Sequence, residues 1–317
     1  MAIGEMAFMK DNGYGMPMNK EEAEKIYLQL AEERDDEWSM IKLAYIEMDR
    51  GNSEERLKWI QKALEKEYID AYFELGFFYQ FDEAYKDLEK AQQSYYQAAQ
   101  LGNPDGMNGL ALIYYNMPDY KGDEQAFRWF SKSADLGDSF GLYYLAVMYE
   151  NGFGTYSNKQ KAWDLYLASA DQKFSPAYRK IAQLIEEGEA PASFTGRELE
   201  YYIKAAERND IDAIHDVIRF LEKDPDRKKE LFSWCQRGAQ LNNGKCICKL
   251  GKLYFYGMGT EMDEFKAMNC FRKAETMEIP EAYYFLGLAY YEAKGVVSPN
   301  TVSYTHLRAH ETTLHLV

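Results

Sequence analysis

Residues 141–170 read GLYYLAVMYENGFGTYSNKQKAWDLYLASA, and this stretch decides the fold. Two apolar segments of helical length are joined by a polar turn that contains Gly152 and Gly154. A glycine pair ahead of a helix can form a phosphate-binding loop, which is expected once in a chain and directly after a strand. A turn between two packed helices is expected to recur, so the rest of the sequence distinguishes the two interpretations.

The first segment recurs along the chain. Its pattern is a small residue followed four positions later by an apolar residue and, in most copies, by glycine or alanine at the fifth. Nine copies begin between 32 and 37 residues apart, at Ala2, Ser39, Ala71, Gly106, Gly141, Ala177, Ala213, Cys246 and Ala282. A near-constant period of this length indicates a repeat array.

A second landmark keeps the same spacing. An apolar or aromatic residue precedes a cluster of small residues, at Tyr27, Ile60, Tyr95, Phe130, Tyr166, Tyr202, Cys235 and Phe271. Each unit therefore has a first helix (A), a turn and a second helix (B). In helix A, the first small residue and those four, five and eight positions later share one face, which we expect to be buried.

The glycine pair also recurs, as Gly13-Tyr-Gly15, Gly152-Phe-Gly154 and Gly257-Met-Gly259, each time between helix A and helix B. Its role is therefore predicted to be a turn with positive φ, and a nucleotide loop is excluded.

Helix starts are signalled as well. Asn103-Pro104 and Ser175-Pro176 predict an N-cap residue before a proline at the first helical position of an A helix. Thr195 and Glu198 have the spacing of a capping box, and Asp224-Pro225 predicts another capped start.

The pattern A-x-x-x-L-G-x-x-Y, then G-x-G, then K-A-x-x-x-Y-x-x-A-A resembles the Sel1-like repeat family, a relative of the tetratricopeptide repeats. The best copies are residues 141–170 and 246–275. The resemblance implies an all-α fold, an α/α superhelical solenoid of stacked antiparallel helical hairpins, with a concave groove lined by the A helices.

The resemblance covers residues 1–297, as eight units plus a ninth A helix, and leaves residues 298–317 as a non-repeat tail. Several copies depart from the pattern: residues 71–105, 177–212 and 213–245 lack the glycine pair, so we expect their A–B connections to bend differently. The chain opens and ends in mid-pattern, which suggests a fragment of a longer array.

The composition excludes several classes of protein. The formal net charge of −15 repels phosphate backbones, so no nucleic-acid partner is expected. No apolar run is long enough to span a membrane. The N-terminus lacks the basic segment and apolar core of a signal peptide, so we expect a cytoplasmic location.

The four cysteines, Cys235, Cys246, Cys248 and Cys270, lie within 36 residues, whereas a disulfide framework would distribute them through the repeats. Cys246 and Cys248 on one helix point about 200° apart, which is poor geometry for chelation. Buried thiols in a reducing compartment are therefore expected, with no metal or other cofactor.

The tail holds three of the four histidines, His306, His310 and His315. His306 and His310 have a spacing that could bind zinc on one helix face. His310-Glu311 resembles the start of the HExxH signature, but His315 lies one residue too far along. Because SYTHLRAHET resembles translated adapter or vector sequence, we expect an artefactual tail; a disordered native tail and a metal site are the alternatives.

The residues two, six and nine positions after the first small residue of each A helix define what we call the inner face. They lie 180° to 240° around the helix from that small residue. The resemblance implies that partners bind there, and aromatic and cationic side chains of the kind that dominate interfaces recur on it. The predicted partner-binding residues are Phe73, Phe77, Tyr115, Tyr143, Arg179, His215, Arg219, Lys252, Tyr284 and Tyr291.

The expected partner is a protein or an extended or helical peptide whose acidic groups face the cations. The alternative is that the rings pack against the neighbouring unit and that the cations pair with Glu186 and Glu222.

No catalytic site is predicted, because outside the tail His215 is the only histidine. The resemblance implies a non-catalytic scaffold or adaptor. Two other functions remain open: a β-lactam-binding or hydrolysing protein like some cysteine-rich relatives, and a regulatory module of a larger enzyme. The confined cysteines count against the first, since those relatives carry disulfides throughout their repeats.

Overall fold

The computed structural model describes residues 3–117 and 120–292, and within these ranges it contains helices and turns but no β-strand. The A helices are α1 (Ile3–Asn12), α3 (Glu37–Arg50), α5 (Ile69–Phe81), α7 (Pro104–Tyr115), α9 (Ser139–Asn151), α11 (Ser175–Glu186), α13 (Ile211–Leu221), α15 (Gly244–Tyr256) and α17 (Pro280–Glu292). The B helices are α2 (Lys20–Arg34), α4 (Ser53–Glu65), α6 (Leu88–Gln100), α8 (Tyr120–Asp135), α10 (Lys159–Asp171), α12 (Glu198–Ala206), α14 (Lys228–Gln240) and α16 (Glu264–Glu275).

The chain divides into two compact units, Met1–Gln172 and Lys173–Val317. In the first unit, each pair of consecutive helices from α1 to α10 packs together. The same holds in the second unit from α11 to α17. Consecutive packing of antiparallel hairpins is the architecture of an α-solenoid, so the predicted fold class is confirmed.

The repeat landmarks occupy the cores of these hairpins. All eight residues of the second landmark, from Tyr27 to Phe271, are at most 1% exposed. Small residues on the A helices make room for them. A Cβ added to Gly76 would lie 2.5 Å from the Tyr95 ring, and one added to Gly251 would lie 2.7 Å from the Phe271 ring. The small residues therefore allow the close helix packing that the pattern predicts.

Three landmark rings also reach the next A helix, at the third position after its first small residue. Phe130 stacks on Tyr144 with ring centroids 5.0 Å apart, and Phe271 stacks on Phe285 at 5.2 Å. At the equivalent position opposite Tyr95 stands Gly109, where an added Cβ would lie 2.7 Å from the ring. At these three joints, the B helix of one hairpin packs on the A helix of the next through the landmark ring.

The glycine pairs form the predicted turns between helix A and helix B. Gly152 and Gly154 have φ values of 77° and 63°, in the left-handed region that glycine adopts without strain. Where the pair is absent, the connection differs as expected. Short 3-10 turns at Ala192–Phe194 and Pro225–Arg227 take its place after α11 and α13.

Of the four predicted helix starts, Asn103 is confirmed and two are wrong, while Asp224 caps the 3-10 turn Pro225–Arg227 ahead of α14, its Oδ1 accepting from the Asp226 N–H at 3.0 Å. Asn103 caps α7, its Oδ1 accepting from the Gly106 N–H at 2.7 Å. Helix α11 already includes Ser175, whose Oγ lies 2.9 Å from Asp210 Oδ2 on the next hairpin instead of capping. Thr195 lies before a positive-φ glycine and two residues ahead of Arg197, the N-cap of α12, so no capping box forms with Glu198.

Candidate partner-binding surface

The structure leaves much of the inner face accessible. Eight of the ten predicted partner-binding residues are half-buried, and Tyr284 and Tyr291 on α17 are exposed, with 54% and 68% of their surface accessible. The tail histidines lie outside the described residues.

In the first unit, the half-buried rings pack on other rings. Phe73 lies 5.7 Å from the buried Tyr95 ring, and Phe77 lies 4.7 Å from Phe81. Phe77 also lies 5.6 Å from the guanidinium of Arg56. These contacts agree with the alternative that the rings pack within the repeat array, and both rings remain half-buried rather than fully buried.

Tyr115 and Tyr143 belong to a second group of rings in the same unit. The Tyr115 ring lies 6.1 Å from both Tyr144 and Phe153, and Tyr143 lies 5.5 Å from Tyr166. Burial raises the pKa of the Tyr115 hydroxyl, so it stays protonated near neutral pH.

The ninth position of the inner face has a structural role that the sequence reading missed. In several hairpins, the landmark tyrosine of the B helix donates a hydrogen bond to this position, for example from Tyr95 to Gln80 at 2.7 Å and from Tyr202 to Glu186 at 3.0 Å. The landmark Tyr27 differs, because its hydroxyl has no hydrogen-bond partner among the described residues. Where the landmark is Phe130, the ninth position is Tyr115, at a ring distance of 6.5 Å. A buried hydroxyl thus faces a polar residue, and a buried phenyl ring faces another ring.

The two predicted arginines are held by carboxylates of the second unit. Arg179 lies 2.9 Å from Asp212 and 3.2 Å from Asp216. Arg219 binds both oxygens of Glu186, at 2.7 and 2.9 Å, and lies 3.4 Å from Asp216. Hydrogen bonds from Arg219 lower the pKa of Glu186. The Arg219–Glu186 pair is the one foreseen in the alternative, whereas Arg179 pairs with different residues.

His215 and Lys252 lie together at a cavity of about 320 Å³ in the second unit. We call it the basic cavity. Helices α13, α15 and α17 and the residues directly next to them supply its lining: His215, Ile218, Glu222, Lys245, Cys246, Cys248, Lys249, Lys252, Ile279, Glu281 and Phe285.

The charges of the basic cavity are only partly balanced. Lys249 pairs with Glu222 at 2.6 Å. Among the described residues, no carboxylate lies within ion-pair distance of Lys245 or Lys252, and the Lys252 ammonium lies 5.8 Å from the centre of the Phe285 ring. Burial, reinforced by Lys245, lowers the pKa of His215, so its imidazole is neutral at pH 7.

The sequence reading missed Lys245 and Lys249 because it stopped at 240° on the helical wheel. Lys245 precedes the first small residue of its A helix by one position, and Lys249 follows it by three. At 100° per residue these flanking positions lie at about 260° and 300°, next to the inner face. A wider window would have found both lysines from the sequence.

Some of the same flanking positions are acidic on two helices of the first unit. They place Asp70 and Glu74 on α5 and Asp105 on α7. Burial, and then repulsion from Asp138 and Asp70, raise the pKa of Asp105. Burial also raises the pKa of Glu74, although Tyr45 donates a hydrogen bond to it. Helix α15 thus carries lysines at the positions where α5 carries carboxylates.

Metal and membrane signals are missing from the part of the chain that the structure describes. Its His, Cys, Asp and Glu side chains form no group of three that could hold a metal ion. None of its helices is long and apolar enough to cross a membrane. The four cysteines are free thiols, and burial raises the pKa of Cys246 to about 11 and of Cys248 to about 12.

Stacked hairpins with a small-residue seam and an accessible inner face define a helical-repeat protein of the tetratricopeptide-like class. The family model described as Sel1 repeat matches residues 1–35, 69–103, 104–138, 139–174, 199–210, 244–277 and 280–302, which is more than half of the chain. The chain therefore belongs to the Sel1 repeat family.

Solved structures share this fold. A Sel1 repeat protein from Oxalobacter formigenes is 20% identical with a TM-score of 0.64, covering 90% of this chain and 86% of its own. A protective antigen present in uropathogenic Escherichia coli strains, displaying an SLR fold, is 23% identical with a TM-score of 0.50, covering 93% and 73%. Yeast Tom70 is 14% identical with a TM-score of 0.54, covering 91% and 62%. No curated protein matches the sequence.

Proposed function

We propose that this chain is a non-catalytic scaffold that binds a protein or peptide segment along the inner faces of its A helices. These faces would line the concave groove predicted from the sequence, with acidic groups of the partner facing the cations of the second unit. The proposal rests mainly on helix α17. This helix presents the exposed side chains of Tyr284 and Tyr291, and its Phe285 lines the basic cavity.

The charge distribution in the second unit supports an acidic partner. Arg179 and Arg219 already hold carboxylates of the chain, whereas Lys245 and Lys252 have no such partner among the described residues. The attraction for an acidic partner is therefore assigned to the lysines more than to the arginines.

The chemistry of the thiols supports a non-catalytic role. Cys246 and Cys248 lie at the same cavity as His215, an arrangement that could suggest a Cys–His nucleophile. A reactive cysteine needs a lowered pKa, whereas burial raises the pKa of both thiols well above neutral pH. The β-lactam alternative rests on paired cysteines, and the four cysteines here are free.

The proposal is tested with peptides selected from a random display library on the immobilised chain. Replacing Tyr284 and Tyr291 together by alanine is expected to weaken their binding about tenfold or more, because aromatic side chains are frequent hot spots. Fluorescence polarisation with purified variants measures the change.

The matched control is Phe265→Ala, because Phe265 is 77% exposed but lies on the B helix α16 of the preceding hairpin. Its effect is expected to be less than about twofold, as for residues outside an interface. Selection of no peptide, or loss of binding in the Phe265 variant alone, would refute binding on the inner face.

The proposal treats residues 1–297 as one repeat region and residues 298–317 as a separate tail. It places the protein in the cytoplasm, because clustered free thiols suit a reducing compartment. Recovery of the chain from a secreted or periplasmic fraction would contradict this location.

A further inference from the structure

The basic cavity differs from the rest of the protein in its charge. Its lining contains three lysines and two glutamates, while the whole chain has a formal charge of −15. Once Lys249 is paired with Glu222, the remaining charged groups are Lys245, Lys252 and Glu281. The cavity thus keeps one excess positive charge, partly sheltered from water, where an anion gains more than at an open surface.

Its apolar groups indicate what accompanies the anion. Ile218, Ile279 and Phe285 share the lining with the lysines. A volume of about 320 Å³ lies at the lower end of the range for ligand pockets. The space suits one or two side chains of a larger partner better than a whole folded element.

The charge balance favours a carboxylate over a phosphate. A phosphate group carries nearly two negative charges and is repelled by neighbouring carboxylates. Glu222 and Glu281 both line the cavity, so one excess positive charge matches a group with a single negative charge. Lysines, which act as compact point charges, suit a carboxylate that is held without a two-pronged arginine contact.

We propose that the basic cavity is the anchoring subsite of the inner face, and that it takes the carboxylate of an aspartate or glutamate side chain of a partner peptide. An apolar side chain next to that residue packs against Ile279 and Phe285. The neutral imidazole of His215 donates or accepts one further hydrogen bond. This inference rests on the proposed function and names the group that the surface recognises.

The test uses three fluorescein-labelled probe peptides in polarisation assays. One alternates leucine with glutamate, the second has glutamine in place of each glutamate, and the third has phosphoserine there. The glutamate peptide is expected to bind with an affinity that falls as salt is added, and the glutamine peptide about tenfold more weakly.

Variants locate the binding. The double variant Lys245→Gln, Lys252→Gln is expected to bind the glutamate peptide about tenfold more weakly and to bind the glutamine peptide with unchanged affinity. Lys20→Gln with Lys25→Gln, two exposed residues of α2, makes the same change in net charge and is expected to have less than about a twofold effect. Lys245→Arg with Lys252→Arg keeps the charge and should retain binding.

Protection of the lysines gives a second readout that does not depend on the variants folding. Binding of the glutamate peptide should slow the acetylation of Lys245 and Lys252 and leave that of Lys20 and Lys25 unchanged, as measured by mass spectrometry with and without the peptide. An equal change at the four lysines, or no change at any, would overturn the inference.

Equal binding of the glutamate and glutamine peptides, or no binding of either, would also overturn it. If the phosphoserine peptide alone binds, the choice of a carboxylate is wrong. If peptide binding is lost in the lysine variants but unchanged when Tyr284 and Tyr291 are replaced, the proposed binding along the inner face is refuted while the subsite stands. If binding is lost when Tyr284 and Tyr291 are replaced but unchanged in the lysine variants, the subsite is refuted and the proposed function is left intact.

Discussion

Gly259 shows how closely neighbouring hairpins approach. Its φ of 74° lies in the left-handed region, and an added Cβ would lie 2.0 Å from the carbonyl oxygen of Lys228 at the start of α14. Gly154 repeats the contact in the first unit, where an added Cβ would lie 2.3 Å from the Asp123 carbonyl oxygen. The second glycine of the pair therefore serves the turn and also the packing on the preceding B helix.

Gly259→Ala is expected to destabilise the second unit more than Gly188→Ala does. Both residues have positive φ, which costs alanine roughly 1–2 kcal/mol. Only Gly259 faces backbone atoms, since no atom lies within 4 Å of a Cβ added to Gly188. The clash adds about 1–3 kcal/mol for forced backbone movement.

Urea unfolding followed by circular dichroism measures both free energies of unfolding. If both variants lost the same free energy of unfolding, the glycine would be required only for its positive φ and not for the close approach to the Lys228 carbonyl.

The glycine turn was predictable because it is repeated, whereas the contact with Lys228 was not. Gly-x-Gly between two helices indicates positive φ without any knowledge of the neighbouring hairpin. The contact with a carbonyl 31 positions earlier depends on how one hairpin rests on another, which no local pattern encodes.

At the scale of helices, the hydrogen bond between Tyr95 and Gln80 ties α6 to α5 inside one hairpin. Tyr95→Phe is expected to lower the free energy of unfolding by about 1 kcal/mol. In a double-mutant cycle with Gln80→Leu, the coupling energy between the two residues is expected to be of similar size. The two variants together should be less harmful than the sum of the single changes, because they remove both polar groups.

Tyr96→Phe is the matched control for this cycle. Tyr96 is the next residue and is 45% exposed, so loss of its hydroxyl should change the free energy of unfolding by less than about 0.5 kcal/mol. Strictly additive single-mutant effects at Tyr95 and Gln80 would show that the hydrogen bond contributes nothing to the hairpin.

Most of the helical architecture could be predicted, and the inner face only in part. Burial of every second-landmark residue follows from periodicity alone. The role of Gln80 and Glu186 as acceptors was readable from the sequence, since tyrosine landmarks coincide with polar ninth positions. The helical wheel could not reveal that Asp212 and Asp216 neutralise Arg179, because those ion pairs join different hairpins.

For the whole chain, deletion of residues 298–317 tests the proposed division into a repeat region and a tail. The truncated chain is expected to unfold within about 0.5 kcal/mol of the full chain, because the repeat landmarks end before residue 298. Thermal and urea unfolding measure this difference, with the helix content from circular dichroism as the control. A large loss of helix content would place the tail in the fold.

The boundary between the two compact units at residue 172 carries no signal in the sequence. The repeat starts at Gly141 and Ala177 are 36 residues apart, like the pairs on either side. The repeat period reflects the packing of each hairpin's own core. It does not mark the boundary between the two compact units.

The ring junctions between hairpins have a consequence for gene rearrangement. Phe130 stacks on Tyr144, while Tyr95 has Gly109 opposite it. An unequal crossover that removed residues 106–140 would preserve the repeat period but set Tyr95 against Tyr144, two rings in a space shaped for one. The copies are therefore not interchangeable modules, and their order along the chain is constrained by the joints that connect them.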